Sequence, residues 1–125
     1  MKIALITGAA GGIGSAVCRE LAVQGAALCL VDLADTAPLA QELRAAGRKV
    51  IEAHADVTSR AAITQAVQST CDQLGRLDIL VNVAGTVSLG AAANISEAEW
   101  DRVLAINLKG TFLACQAAMA PMKAQ

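Results

Sequence analysis

One stretch near the start of the chain decides the fold, and it reads Ile3-Ala4-Leu5-Ile6-Thr7-Gly8-Ala9-Ala10-Gly11-Gly12-Ile13-Gly14. Its first five residues are apolar or β-branched, and they predict a buried β-strand over Ile3–Thr7. A glycine-rich turn follows. The apolar residues beyond the turn recur at helical spacing and predict a helix over Gly12–Gln24. Strand, glycine-rich turn and helix in this order are typical of the first unit of a parallel α/β fold.

The rest of the sequence repeats this alternation of strand and helix. Further strands are predicted over Ala27–Asp32, Lys49–His54 and Leu77–Asn82. Further helices are predicted from about Pro38 to just before Gly47, over Ser59–Leu74, and from a capping box at Ser96 onward. Because a helix separates each strand from the next, the strands should pair in parallel within a doubly wound sheet. We therefore expect a single α/β domain over residues 1–125.

Composition excludes several classes of function. The chain is 55% hydrophobic with a net charge of −1, so it has apolar residues for a core and no basic surface for nucleic acid. The apolar stretch at the N-terminus breaks after Ile6, too early to span a membrane. The only histidine, His54, has no metal-ligand partners at suitable spacing. Four cysteines without a C-x-x-C pair predict free, buried thiols and a cytoplasmic location.

The glycine-rich turn is suited to binding a diphosphate. Glycines at Gly8, Gly12 and Gly14 let backbone N–H groups approach phosphate closely, and the helix dipole favours the negative charge. Asp32 ends the second strand, where its carboxylate would accept hydrogen bonds from both ribose hydroxyls of an adenosine and repel a 2′-phosphate. Neither Leu33 nor Ala34 supplies a compensating cation. The pattern favours NAD over NADP; the alternatives are a turn without a ligand and a solvated aspartate.

Four motifs in order resemble the N-terminal half of the short-chain dehydrogenase/reductase family. They are Thr7-Gly8-x-x-x-Gly12-Ile13-Gly14, then Asp56-Val57, then Asp78-Ile79-Leu80-Val81-Asn82-Val83-Ala84-Gly85, and finally Asn107-Leu108-Lys109-Gly110. The resemblance implies a truncated Rossmann-like sheet with strand order 3-2-1-4.

The resemblance also implies roles for individual residues. Ile13 and Leu33 would join the glycines and Asp32 in binding NAD. Asp56 and Val57 would flank the adenine ring. Asn82, Ala84 and Gly85 would lie towards the nicotinamide ribose. Asn107 matches one of the family's catalytic residues.

Two departures from the family pattern matter. Val83 replaces the second asparagine of an N-N-A-G motif, which either loosens the end of the fourth strand or has no effect. The family's catalytic Ser and Tyr-x-x-x-Lys would follow residue 125, and the sequence contains no tyrosine. We therefore expect an NAD(H)-binding domain that is catalytically incomplete alone. One alternative is an active oxidoreductase whose dimer builds a site from Asn107, Ser88 or Lys109 and water. Another is a non-enzymatic association module.

The last predicted helix is apolar on two sides. One stripe contains Leu104, Leu108, Phe112, Cys115, Met119 and Met122, and a second contains Val103, Ile106, Leu113 and Ala117. Covering one sheet face needs only one stripe, so either the core-facing stripe is broad or the second side is buried against a partner chain. In the order 3-2-1-4 the fourth strand is also an open, apolar edge. These features predict a homodimer that uses the fourth-strand edge, the C-terminal helix, or both.

Overall fold

Four parallel strands form one sheet in the computed structural model, which describes residues 1–125. They are β1 (Ile3–Thr7), β2 (Ala27–Asp32), β3 (Val50–His54) and β4 (Ile79–Asn82). Their order is β3-β2-β1-β4, and every neighbouring pair is parallel. The predicted sheet and strand order are confirmed, with β3 and β4 at the edges.

Helices cover both faces of the sheet. They are α1 (Gly12–Val23), α2 (Ala37–Ala45), α3 (Arg60–Leu74), α4 (Glu97–Leu104) and α5 (Gly110–Lys123). One core cluster joins one face of β1 and β2 to α1 and α2, and its central residues include Ile6, Leu28 and Leu30. A second joins the opposite face to α3 and α5, around Leu5, Val31 and Ile63. The central strands β1 and β2 are buried on both faces, as their continuous apolar runs predicted, whereas the edge strands β3 and β4 are partly exposed.

Two strands begin later than predicted. β3 starts at Val50 rather than Lys49, and β4 starts at Ile79 rather than Leu77. At the start of β4, the Asp78 carboxylate accepts a hydrogen bond from the backbone N–H of Ile3 at 2.9 Å. A side chain thus takes part in joining β4 to β1 there, before regular strand pairing begins. Leu77 is fully buried in the second core cluster.

The final helix is not the uninterrupted α-helix that the sequence predicted. A π-helical turn, Ala105–Lys109, lies between α4 and α5. Hydrophobic periodicity cannot reveal one inserted residue, because the apolar stripes continue on both sides of it. The capping box is half formed: Ser96 Oγ accepts from the Glu99 N–H at 3.1 Å, while the Glu99 carboxylate binds Arg102.

The two predicted stripes of this helix have different environments. Leu113 is buried, and Ile106 and Ala117 are half-buried against the second core cluster. Leu108 and Phe112 on the other stripe are exposed. The helical segment Glu97–Lys123 contains an 18-residue window with a mean hydropathy of 1.4, and by length and composition alone it could span a membrane. That is weak evidence for a membrane helix, because core helices of globular proteins pass the same test.

The prediction of buried thiols holds for only part of the set. All four cysteines are free, and Cys18 and Cys29 are buried. Cys71 is half-buried, and Cys115 is exposed on α5. The prediction was wrong for Cys115, because it belongs to the helix stripe that the rest of the fold leaves uncovered.

Candidate functional site

A cavity of about 660 Å³ opens at the carboxyl ends of the four strands. Open α/β sheets bind their ligands at this edge, where the strand order reverses between β1 and β4. The cavity is lined by Gly8, Ala10, Gly11, Gly12, Ile13, Gly14, Val31, Asp32, Leu33, Ala34, Ala55, Asp56, Val57, Val83, Ala84, Gly85, Thr86 and Ile106. Ten of the eleven cofactor residues predicted from the sequence are in this lining, and Asn82 is not.

The three glycines of the motif meet different constraints. Gly8 has a φ of +69°, and a Cβ built on it would lie 2.7 Å from the backbone nitrogen of Ala84. A Cβ on Gly14 would overlap the backbone of Gly8. The turn itself therefore requires both glycines. A Cβ on Gly12 would meet no atom within 4 Å, so the fold itself does not require glycine there.

The N-terminus of α1 offers free backbone donors to the cavity. Gly11 is the N-cap residue, and no side chain caps the helix. The first-turn N–H groups of Gly12, Ile13 and Gly14 have no helical partners by the geometry of an α-helix. Such a helix start favours a bound anion through both its donors and its dipole.

Asp32 is held by the backbone on both of its carboxylate oxygens. Oδ2 accepts from the Ala10 N–H and Oδ1 from the Ala34 N–H, each at 2.9 Å. Each oxygen keeps a further lone pair for a ligand hydroxyl, because an ionised carboxylate has about four acceptor sites. No lysine or arginine lines the cavity, so no cation in the lining offsets this charge.

The end of β3 supplies a second carboxylate and an apolar wall. Asp56 Oδ1 accepts from the Thr58 N–H at 2.8 Å and from its hydroxyl at 2.7 Å. These bonds fix the turn before α3 and leave Oδ2 without a protein partner. Val57 is buried and packs against Gly110 on the other side, where a Cβ would lie 2.7 Å from Val57 Cγ2.

At the far end of the cavity, Thr7 ties β1 to the segment after β4. Its Oγ1 accepts from the backbone N–H groups of Val83 and Ala84, each at 3.2 Å. The end of β4 is therefore held by a side chain from β1, although Val83 carries no amide. The contact joins residues 76 positions apart, and sequence reasoning did not find it.

Asn107 reaches the same segment from the π-helical turn. Its Oδ1 accepts from the Thr86 N–H and its Nδ2 donates to the Thr86 carbonyl, both at 2.8 Å. The amide thus positions Thr86, which lines the cavity, while Asn107 itself does not. The side chain of Asn82 points elsewhere, because its Nδ2 donates to Cys115 Sγ on α5 at 3.4 Å.

A charged pair supports the segment from outside. Arg102 donates to both carboxylate oxygens of Glu99 at 2.8 and 2.9 Å and to the hydroxyl of Thr86 at 3.3 Å. The hydrogen bonds from Arg102 lower the pKa of Glu99 to about 2, helped by one from Ser88. Ser88 is not among the residues that line the cavity.

The sequence model described as short chain dehydrogenase matches residues 2–125 of the chain. The chain belongs to the short-chain dehydrogenase family. A curated relative, the (2S)-[(R)-hydroxy(phenyl)methyl]succinyl-CoA dehydrogenase subunit BbsD of Thauera aromatica, is 43% identical over 118 residues. Those residues cover 93% of this chain and 48% of the relative. This chain thus spans about half the length of the curated relatives that it matches.

Solved structures of the family share the fold of this chain. A short-chain dehydrogenase/reductase from Serratia marcescens superposes with a TM-score of 0.93 at 37% identity and matches 97% of this chain and 51% of the other. Carveol dehydrogenase from Mycobacterium avium, solved in complex with NAD, gives a TM-score of 0.94 at 30% identity. It matches 98% of this chain and 50% of its own.

The sequence missed several residues that line the cavity. Gly11 and Ala10 lie inside the glycine motif, and Thr86 directly follows Gly85, so proximity in sequence was an available signal. Ile106 enters the lining from the π-helical turn, next to Asn107. Its placement depends on the packing of the final helix against the sheet, which no local pattern specifies.

Proposed function

We propose that this chain binds NAD(H) in the cavity at the carboxyl edge of its sheet and prefers it to NADP(H). The observation that carries the proposal is the Asp32 carboxylate, held at the mouth of the cavity by the N–H groups of Ala10 and Ala34. A ribose with two free hydroxyls can donate to it, whereas a 2′-phosphate would meet an uncompensated negative charge.

The other residues of the lining can each be assigned to one part of the cofactor. The first-turn N–H groups of α1 would bind the pyrophosphate above Gly12. Asp56 and Val57 would contact the adenine, and Ala84 and Gly85 the nicotinamide ribose. The bound NAD of the Mycobacterium avium carveol dehydrogenase supports the assignment, because the two folds superpose over nearly the whole of this chain.

We further propose that these 125 residues do not transfer hydride at a useful rate by themselves. The cofactor supplies a hydride to a carbonyl, and an acid must then protonate the developing alkoxide. The only titratable side chains in the lining are Asp32 and Asp56, at the adenosine end. The Asn107 amide makes one hydrogen bond through each of its polar atoms to the Thr86 backbone. It positions the segment, and because an amide is not an acid at neutral pH, it donates no proton.

We also propose that the chain forms a homodimer in the cytoplasm. β4 exposes one unpaired edge, and Leu108 and Phe112 leave an apolar surface uncovered on the final helix. Pairing with a second copy would cover the open strand edge or bury the apolar helix surface. Four free thiols suit a reducing compartment.

Calorimetric titration with NADH and with NADPH tests the cofactor proposal. We expect saturable binding of NADH and at least about tenfold weaker binding of NADPH, a difference of about 1.4 kcal/mol. In Asp32→Ser the difference should shrink, whereas Asp35→Ser, which alters a nearby carboxylate outside the lining, should keep it. If the folded protein binds neither cofactor, or binds both equally, the proposal is wrong.

A further inference from the structure

The segment 85–90, which follows the end of β4, has few restraints of its own. It forms no helix or strand, and its backbone makes hydrogen bonds only at Thr86. Its side chains alternate in exposure: Thr86 and Ser88 are half-buried, whereas Val87 and Leu89 are 74% and 90% exposed. The position of this segment beside the cavity therefore depends on the contacts of Thr86.

Every polar group of Thr86 is held from α4 or from the π-helical turn that follows it. Asn107 binds the backbone N–H and the carbonyl of Thr86, both at 2.8 Å, and Arg102 donates to its hydroxyl at 3.3 Å. Segments that are exposed and have few hydrogen bonds are those that open locally. Loss of the Arg102 contact would therefore leave the segment held by Asn107 alone and free to leave the cavity wall part of the time.

Arg102 is itself oriented by Glu99. Its Nε and Nη2 donate to the two carboxylate oxygens at 2.9 and 2.8 Å, a bidentate geometry that fixes the plane of the guanidinium. The remaining Nη1 is thereby directed at Thr86. Glu99 has the position of a capping-box residue, whose carboxylate would return to the backbone N–H of Ser96, but it binds Arg102 instead.

The restrained segment lies at one end of the cavity only. Gly85 and Thr86 belong to the lining, at the end assigned to the nicotinamide ribose. Asp32, at the adenosine end, is held by backbone N–H groups that precede α1 and α2 and has no contact with Thr86. A ligand that reaches only the adenosine end would not depend on Arg102, whereas a dinucleotide that spans the cavity would.

We propose that Arg102, oriented by Glu99, is a positioning residue for the nicotinamide half of the cofactor, a role that rests on the proposed binding of NAD(H). It keeps Thr86 and Gly85 at the cavity wall before the ligand arrives. The apparent affinity of a site is reduced by the fraction of molecules in which that site is formed. If the segment without Arg102 keeps its position in about one molecule in five, NADH binds about fivefold more weakly.

Paired titrations with NADH and ADP test this role, because ADP carries the adenosine and the diphosphate but no nicotinamide. Arg102→Met removes the guanidinium and keeps the apolar stem, so we expect NADH to bind about fivefold more weakly and ADP to bind normally. The control Arg19→Met removes an equally bidentate surface pair with Glu42 and should bind both ligands normally. Equal losses for the two ligands in Arg102→Met, or no loss for NADH, would overturn the proposal.

Two further readouts separate positioning from a general loss of stability. At saturating NADH, the anisotropy of nicotinamide emission should fall in Arg102→Met, because the ring is less restrained, and stay unchanged in Arg19→Met. In a Thr86→Val background, which lacks the hydroxyl, Arg102→Met should cause no further loss of NADH affinity. A further loss of similar size there would show that Arg102 does not act through Thr86 and would refute its proposed role.

Failure of the proposed function gives a different result. A folded wild-type chain that binds neither NADH nor ADP would contradict cofactor binding itself and the role of Arg102 with it. A wild-type chain that binds both ligands, with an Arg102→Met variant that binds both equally well, would contradict only the role of Arg102.

Discussion

At the scale of single residues, the glycine motif combines two different requirements. The backbone turn needs Gly8 and Gly14, since a Cβ at either position would overlap backbone atoms. Gly12 has open space where its Cβ would be, and its side of the loop faces the cavity. The motif alone does not separate these requirements, because all three positions are simply glycine in the sequence.

The Gly12→Ala variant should therefore lose the ligand and keep the fold. We expect NADH affinity to fall about tenfold or more, which is about 1.4 kcal/mol, because a methyl group would occupy the approach to the first-turn N–H groups. Stability should stay the same or rise by up to about 1 kcal/mol, since alanine restricts the unfolded chain more than glycine does. Thermal denaturation and NADH titration measure the two effects. As a control, Gly14→Ala should be destabilised; normal NADH binding by Gly12→Ala would contradict the assignment.

The four thiols should differ in reactivity. Burial raises the pKa of both Cys18 and Cys29 to about 11, so neither supplies much thiolate at neutral pH. Cys115 is exposed. We expect a disulfide reagent at pH 8 to modify Cys115 first, and Cys18 and Cys29 only on unfolding. The fast phase should disappear in Cys115→Ser, and rapid modification of the buried pair in the native protein would refute the burial described here.

At the scale of secondary structure, the junction of the π-helical turn with α5 packs directly on the cavity wall. Gly110, the first residue of α5, is buried against Val57 from the end of β3. This contact sets how closely the final helix approaches the sheet. Neither residue carries a local signal of the contact, because their approach depends on packing between distant segments.

Gly110→Ala should destabilise the protein by overpacking this junction. The added Cβ would lie 2.7 Å from Val57 Cγ2, and overpacking of a core costs about 1–3 kcal/mol. Urea denaturation measures the loss. Adding Val57→Ala should recover part of it by removing the clashing methyl groups. A Gly110→Ala variant as stable as the wild type would show that the helix can move away freely.

At the scale of the whole molecule, the sequence predicted the architecture well. Each strand and helix has its own hydrophobic periodicity and its own glycine, proline or capping residues at its ends. Gly25 and Gly75 end helices with positive φ values of 86° and 97°, where their sequence position predicted the ends. The contacts that shape the site could not be predicted from such local signals. Thr7 with Val83, and Asn107 with Thr86, join segments far apart in sequence and leave no periodic pattern.

Asp78 links the start of β4 to the start of β1 and to two cations, so it should make stability depend on pH. Burial of its carboxyl raises the pKa, but hydrogen bonds from the Ile3 N–H, Arg76 and Lys2 prevail and lower it from the ordinary 3.8. The native state then holds fewer protons than the unfolded one. Stability from this group is complete above the unfolded pKa and is lost as pH falls through the lower native value.

We therefore expect Asp78→Asn to be less stable than wild type at pH 7 and to lack part of the wild-type decline in acid. Urea denaturation between pH 7 and pH 2 measures both effects. Lys2→Ala is a useful control, because Lys2 is exposed and its Nζ lies 3.4 Å from Asp78 Oδ1; it should change little. Parallel curves for Asp78→Asn and wild type at all pH values would rule out this role for Asp78.

The most direct test of the account is energy transfer from protein to cofactor. Trp100 is the only tryptophan and the sequence has no tyrosine, so the fluorescence of the protein comes from one known position. Titration with NADH should quench Trp100 and produce saturable nicotinamide emission, whereas NADPH should need a much higher concentration. Absence of energy transfer, from a folded protein that also shows no calorimetric binding, would contradict the claim that this domain binds NAD(H).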